Sequence, residues 1–417
     1  MAFAFLHAAD LHLDCQFEGI SKAPNDISNT LREATFAAWR SVVKSAIEHG
    51  VEFVLIAGDV FNSKDRSLRA QIRYRDGLNE LANYGIETFV VHGNHDPAGS
   101  WNASIDWPDL VHTFTHERIE TIPVIRKGCK IAAITGISYA QRDVRENLAA
   151  KFHAEDTETF NIGLLHCTCG ASSEHEPYAQ CSVSDLSDKG FDYWALGHVH
   201  TRSIISSRSP VIAYPGNTQG LNPNETGARG CLLVSVDDLK KVDLKFIDTD
   251  AVRWFQEAIS IDEMTRDQDI LDAIQSKIEE IRTKAHRPSV VRISLTGRGV
   301  LHKSLVRQSF INHLLDEIRI KEARREDFVW VESISDATAA EIDIKERRKG
   351  QDFVGDFLRV TEEAKQNTNS IRELLEPLFE HKEARSFIQA PSNERIIEWI
   401  ERAETMVLDE LAAEESI

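Results

Sequence analysis

Positive charge is scarce: 48 Lys and Arg stand against 67 Asp and Glu, a formal net charge of −19 in 417 residues. That balance excludes a chain that holds nucleic acid through bulk positive charge, so any phosphate-bearing substrate must be met locally. Long apolar runs are missing as well. Every apolar stretch breaks within about ten residues, short of the ~18 that a membrane span needs. The opening MAFAFLHAADLHLD reaches an Asp and a His before a secretory signal could form. The six cysteines, at 15, 129, 167, 169, 181 and 231, contain no CxxC pair and make no disulfide framework in so long a chain. Reduced thiols and a cytoplasmic location are therefore expected. With 21 Gly and 11 Pro against 42% hydrophobic residues, disorder and low complexity are excluded too.

Two asymmetries remain. Residues 351–417 carry 16 acidic and 7 basic side chains, about half of the net charge, whereas 12 of the 16 histidines precede residue 201. Histidine chemistry thus belongs to the N-terminal half, and the acidic tail is a poor nucleic-acid arm. Short apolar runs bounded by turn residues predict strands at 3–8, 53–57, 88–92, 130–135, 161–165 and 193–196. Helical spacing lies between the first three, with Leu31, Thr35, Ala38, Val42 and Ala46 on one face. This is an α/β pattern. It continues with β-like runs over 204–247. Then come a strand at 254–259, a helix at 270–282, a strand at 290–295, a helix at 305–319 and a wholly helical remainder. The expected domains are 1–250, 251–345 and 346–417.

The informative feature is the set of residues at the strand ends. Asp10-Leu11-His12 comes after the first strand, Gly58-Asp59 after the second and Gly93-Asn94-His95-Asp96 after the third, while His166 ends a fourth and Gly197-His198-Val199-His200 comes after a fifth. Ligands bind at the carboxyl ends of strands in α/β folds, so five segments bring oxygen and imidazole groups to one rim. Taken singly, Asp-x-His or Gly-Asp is an accident of any long chain, and His166 would be a core histidine. Their conjunction in this order is not.

The pattern D-x-H, G-D, G-N-H-D, H, G-H-x-H resembles that of the calcineurin-like metallophosphoesterase superfamily. Within it, HAADLHLD, IAGDVFNSKDRS, VVHGNHDP, HEPYAQCS and DYWALGHVH look like the bacterial SbcD/YhaO-type DNA-repair nucleases. The resemblance implies a sandwich of two mixed sheets flanked by helices, with a small α/β cap and a helical tail. It also implies that Asp10, His12, Asp59 and His200 hold one divalent ion while Asp59, Asn94, His166 and His198 hold a second. Oxygen and imidazole donors without thiolate suit ions such as Mn²⁺. Two such ions about 4 Å apart can clamp a phosphoryl group and activate water for in-line attack on a phosphodiester. The implied activity is a manganese-dependent DNA exonuclease or endonuclease in repair. The implied partners are DNA and an SbcC-type coiled-coil ATPase, with a homodimer left open and no membrane.

His95 neighbours a ligand without being one in that pattern, and is expected to stabilise the transition state and protonate the departing oxygen, with Asp96 orienting it. Members of the group often carry His or Asp three residues after the bridging Asp; here Asn62 stands there, able to hydrogen-bond to phosphate but not to carry a proton. Asn217, in the Pro215-Gly216-Asn217 turn, is a second candidate substrate contact. His7 and His92 read as core or supporting residues and Cys167 and Cys169 as small buried hydrophobes. The basic clusters at 282–287, 319–325 and 345–349 read as solvated helix faces. In the tail, Ile396, Ile400, Ala403, Val407 and Leu411 predict one apolar helix stripe, with Leu374, Leu375, Leu378 and Phe379 upstream; packing within the chain and gripping a partner's coiled coil are both open. Two other functions stay open: a small-substrate phosphodiesterase or phosphatase with the same ligands, and a non-catalytic scaffold for an ATPase.

Overall fold

The computed structural model describes residues 2–17, 23–62, 67–100, 103, 105–154, 156, 158–170, 178–341, 344–380 and 391–414. Residues 175–177 of the HEPYAQCS segment and the side chain of Leu411 lie outside this description. The chain forms two compact units, Met1–Gln256 with Glu280–Val291 and Ile320–Glu332, and Glu257–Glu279 with Arg292–Arg319 and Ser333–Ile417.

In chain order the first unit begins with β1 (Phe3–Ala8), α1 (Asn25–Glu48), β2 (Phe53–Ala57), α2 (Leu68–Asn83), β3 (Glu87–Val91) and β4 (Val111–Thr113). Next come β5 (Glu120–Arg126), β6 (Cys129–Gly136), β7 (Phe160–His166), α3 (Val183–Ser187), β8 (Tyr193–Gly197), β9 (Ser203–Ser206) and β10 (Val211–Tyr214). Strands β11 (Gly230–Val236) and β12 (Val242–Asp248) complete two six-stranded sheets, ordered β12-β11-β1-β2-β3-β4 and β5-β6-β7-β8-β10-β9. Both sheets are mixed: β1, β2 and β3 run parallel, as do β6, β7 and β8, whereas β11 and β5 are antiparallel to their neighbours. The expected architecture is the observed one.

Alternation along the strands explains the layering. Phe5, Phe53, Leu55 and Phe89 of one sheet meet Ile134, Leu164 and Tyr193 of the other in a single apolar cluster. The intervening Leu6, Val54, Ile56 and Val90 pack outward on Phe36, Trp39, Val42 and Val43 of α1 and Leu78 and Leu81 of α2. Strands buried on both faces read as continuous apolar runs, which is why they stood out in the sequence. Phe5 and Phe53 stack with ring centres 4.9 Å apart, and truncating either to Ala should cost about 3–5 kcal/mol. Three strands escaped the sequence reading, one of them Val329–Asp336 of the third sheet. β4 has three residues, and β5 contains Pro123, which argues against a strand except at an edge, where β5 lies.

Strands β13 (Arg253–Ser260), β14 (Ser289–Thr296) and β15 (Val329–Asp336) form a third sheet in that order, with helices α4 (Asp267–Ala285), α5 (His302–Leu305) and α6 (Gln308–Glu322) between them. Three of its arginines are ion-paired: Arg282 with Glu322, Arg287 with Asp248 and Asp250, and Arg325 with Asp327. The end of the chain carries α7 (Ile344–Arg347), α8 (Phe353–Gln366), α9 (Thr368–Glu380) and α10 (Asn393–Glu414).

The buried line of α10 differs from the expected one: it is Ile396, Ile400, Glu404 and Leu408, while Ala403 is exposed and Val407 half-buried. A buried acid is tolerated because Glu404 accepts from the Thr361 hydroxyl and Lys365 Nζ on α8. The apolar spacing placed only Ile396 and Ile400 on the line correctly, because hydrophobicity alone could not predict that a paired carboxylate would join it.

Candidate metal centre

The five motifs stand at the ends of their strands, and in three of them the backbone is distorted. Asp10, His12, Asp59 and His198 have positive φ values of 53°, 42°, 50° and 99°. Such backbone costs a non-glycine residue of order 1–3 kcal/mol and persists only when the surroundings hold it. They do: the N–H groups of Asp10, His12 and Leu13 donate to the carbonyls of Gly58, Asp59 and Val60 at 3.1, 3.0 and 2.9 Å, zipping the loop after β1 to the loop after β2. The His198 N–H donates to both Asp10 carboxylate oxygens at 3.1 Å. Glycine is required in two of these motifs because a β-carbon on Gly93 would strike the Asp59 carboxylate and one on Gly197 the Ala57 carbonyl.

Five of the seven expected ligands fall into two groups of mutually close ligand atoms, and Asn94 and His198 adjoin them through His166. Asp10, His12 and His200 form one group, and Asp10, Asp59 and His166 another, so Asp10 rather than Asp59 is common to both; Asp59 Oδ2 lies 4.0 Å from His12 Nε2 of the first group. His166 Nε2 lies 3.4 Å from Asp59 Oδ2 and 2.9 Å from Asn94 Oδ1. Its Nδ1–H donates to the Ala57 carbonyl at 2.9 Å, which leaves Nε2 as the nitrogen facing the carboxylates. The His198 ring packs edge-on against those of His166 and Tyr178, at 5.2 and 5.5 Å.

The electrostatics call for positive charge. Burial pushes the Asp10 carboxyl up to about 6 against the pull of His200 and His166. Burial also acts to raise Asp59, but His166, with His12 and His95, more than offsets it and holds that carboxyl well below its usual range. Burial acts to lower His166, yet Asp59 and Asp10 draw it up to about 9. Burial and the neighbouring His200 press His12 down to about 3. His12 Nε2 and His200 Nε2 face each other at 3.0 Å, and the buried His12 Nδ1 has no hydrogen-bond partner among the described residues. Two opposed imidazole nitrogens beside a carboxylate suit a shared cation. The donor set therefore fits divalent ions.

The other expected site residues separate into distinct places. His95 is half-buried, its ring edge-on to His12 at 4.9 Å and its N–H donating to Asp59 Oδ1 at 2.9 Å. Its Nδ1 donates to the Asn62 carbonyl at 3.0 Å, so the orienting group is a main-chain oxygen rather than the Asp96 carboxylate of the expectation. Asp96 is wholly buried; it accepts from the N–H groups of Val60, Phe61 and Gly93 and lies 3.3 Å from His92 Nδ1, tying the two ligand loops together. That is a positioning role, and it corrects the expectation of a catalytic one. Asn217 is corrected as well: its fully buried amide donates to Gln219 and Glu225, and its N–H donates to the His200 carbonyl, leaving nothing for a substrate. Asn62 keeps an exposed side chain.

His7 and Cys167 are buried as read, whereas Cys169 is only half-buried. The Tyr193 hydroxyl donates to His7 Nδ1 at 2.9 Å and His7 Nε2 donates to Leu196, and burial presses this imidazole down to about 3. Cys167 is buried with its sulfur 3.9 Å from that of Cys181. Glu225 is the residue that sequence reasoning missed: His200 Nδ1 donates to it at 2.7 Å, yet it sits 25 positions away in a polar turn that carries no motif.

Comparison with known proteins agrees with the geometry. Residues 3–202 match the calcineurin-like phosphoesterase family and residues 254–339 match the middle domain of metallophosphoesterase YhaO. The YhaO metallophosphoesterase of Bacillus subtilis is 35% identical over 340 residues, 82% of this chain and 83% of that one. The DNA double-strand break repair protein Mre11 of Methanocaldococcus jannaschii is 23% identical over 400 residues, 91% of this chain and 99% of that one. Mre11 of Saccharolobus solfataricus is 23% identical over 317 residues, 72% and 78% of the two chains. With candidate metal-ligating groups at the carboxyl ends of its strands and a homologue of this identity and coverage, the chain belongs to the calcineurin-like metallophosphoesterases as a relative of YhaO.

Proposed function

We propose that the protein is a manganese-dependent DNA nuclease that hydrolyses phosphodiester bonds in repair, together with a coiled-coil ATPase of the SbcC type. The observation that carries this reading is the length of the likeness to a double-strand break repair protein. It runs over 400 residues, far beyond the phosphoesterase match at 3–202, where a small-substrate enzyme would need no counterpart. Residues 1–250 would be the catalytic domain, 251–345 a cap on which DNA rests and 346–417 the docking segment for the ATPase. An acidic cytoplasmic protein that borrows DNA affinity from a partner fits the net charge of −19.

Asp10, His12, Asp59 and His200 would hold one divalent ion and Asp59, Asn94, His166 and His198 the other. Bound ions there supply Lewis acidity at the phosphoryl oxygens and a water of lowered pKa. The chain's own residues do the rest. His95, anchored through Nδ1 to the Asn62 carbonyl, keeps Nε2 for the substrate; the protonated ring donates from that atom to the departing oxygen. The exposed Asn62 amide can donate to a non-bridging oxygen.

The test is degradation of linear and circular, single-stranded and duplex DNA by the purified chain, with Mn²⁺ or with EDTA, alone and with the ATPase. Cleavage of linear duplex that needs Mn²⁺ is expected. Hydrolysis of bis(p-nitrophenyl) phosphate with every DNA left whole, partner present or absent, would overturn the reading.

A further inference from the structure

Glu225 is 8% exposed, and its carboxylate is bound on both sides. Oε1 accepts from His200 Nδ1 at 2.7 Å, while Oε2 accepts from the Leu221 N–H at 2.7 Å and the Asn217 amide at 2.9 Å. The same small frame grips the His200 backbone, because Arg229 Nη1 donates both to the His200 carbonyl and to Asn217 Oδ1. His200 is thus fixed at its main chain by Arg229 and Asn217 and at its ring by Glu225. A carboxylate that takes the Nδ1 proton leaves Nε2 bare, and that is the atom facing His12 Nε2 at 3.0 Å.

We propose that Glu225 is a positioning residue for ion binding: it locks His200 in the Nδ1–H tautomer and aims Nε2 at the ion shared with Asp10 and His12. The inference deepens the metal-centre reading and rests on it. It makes an unusual demand of the near-isosteric Gln. Two donors, Leu221 N–H and Asn217 Nδ2–H, face the Oε2 position, so the single oxygen of Gln must stay there. Its NH₂ group would then point at His200 Nδ1, which can accept only if the proton moves to Nε2, the ligand atom. Glu225→Gln should therefore bind ion worse than Glu225→Ala, where water can take the Nδ1–H and the tautomer survives.

The experiment is calorimetric titration of the full-length chain with Mn²⁺ alone, for wild type, E225Q and E225A, with metal-free melting temperatures as the control for folding. The expected result is an affinity loss of about 10- to 100-fold for one ion in E225Q, the scale seen when a partner of a ligating histidine is removed, and a smaller loss in E225A. A residue needed only for folding would give the opposite order, since Gln keeps the bonds to Leu221 and Asn217 that Ala loses. Wild-type affinity in E225Q, or a larger loss in E225A than in E225Q, overturns the proposal. Should E225Q prove too unstable to titrate, E225A decides: a folded E225A with wild-type affinity overturns it and one weakened about tenfold supports it. A wild-type chain that takes up no Mn²⁺ overturns both this inference and the metal reading beneath it, a result distinct from one in which only the variants differ.

Discussion

The rim of the two sheets and the helices α8 to α10 break the usual rule of burial in opposite directions. At the rim, Asp10, His12, Asp59, Asn94 and His166 are polar yet at most 4% exposed. On the helices, Leu374 is 77% and Leu378 61% exposed, as are large parts of Phe353, Val360 and Met406. Buried carboxylates without a cation, and apolar side chains left in water, are both unfavourable. The lesson is that the two regions attract different things: buried carboxylates at the rim favour positive charge, and exposed apolar side chains on the helices favour apolar cover. In the first case the attraction is visible in the upward pull on His166. In the second it is consistent with the proposed grip on a partner's coiled coil.

The sharpest way to break the comparison is to remove the charge that the proposed ions would share. Asp59→Asn keeps the shape and the Oδ1 acceptor for the His95 N–H but halves the site's carboxylate charge between Asp10 and Asp59. Hydrolysis of bis(p-nitrophenyl) phosphate should fall by about 10³-fold or more, and the rise in melting temperature on adding Mn²⁺ should largely vanish. Turnover near the wild-type rate would mean that the rim does not work through bound ions at all.

A smaller effect separates chemistry from ion binding within the rim. His95→Gln should leave Mn²⁺ affinity within a few-fold while lowering DNA cleavage by roughly 100-fold, the scale of a lost general acid. The loss on bis(p-nitrophenyl) phosphate should be milder, because p-nitrophenolate hardly needs a proton to depart. Equal losses on both substrates would assign His95 to charge stabilisation instead, and a chain that no longer binds Mn²⁺ would make it a ligand.

The smallest effect on intrinsic activity belongs to the helices. Leu374→Glu with Leu378→Glu places charge on side chains that are already solvated, so stability should move by no more than about 0.5 kcal/mol per site. Diester hydrolysis should stay within twofold, while co-purification with the ATPase and any ATP-dependent cleavage of DNA should be lost. A double variant that still pulls down the ATPase would leave the exposed leucines without the role proposed for them.

How much of this was legible beforehand depends on the range of the interaction involved. Strands β1 and β2 were read to the residue, because a strand buried on both faces writes its burial as an uninterrupted apolar run. The candidate ligands were legible for a related reason: each sits within four residues of a strand end, and Asp59, Asn94 and His198 each follow a glycine. Partners chosen across distance could not be read. His95 takes the Asn62 carbonyl, which every residue type would offer, and so no residue name announced it. Asn217 looked like an exposed turn residue and is instead fully buried beneath Glu225 and Arg229.

Sequence alone determined which residues stand at the five strand ends, the α/β alternation that brings those ends to one rim, and the acidic, helical character of the tail. Tertiary structure alone decided that His12 and His200, 188 positions apart, would face each other, that Glu225 would hold one of them, and that Glu404 would enter a buried helix face opposite Lys365. The physical reason is that periodicity and turn chemistry act over a few residues and leave a mark in the sequence. Pairings of buried polar groups are set by which chain segments the packed sheets and helices bring within about 3 Å, and a single sequence carries no local trace of that choice.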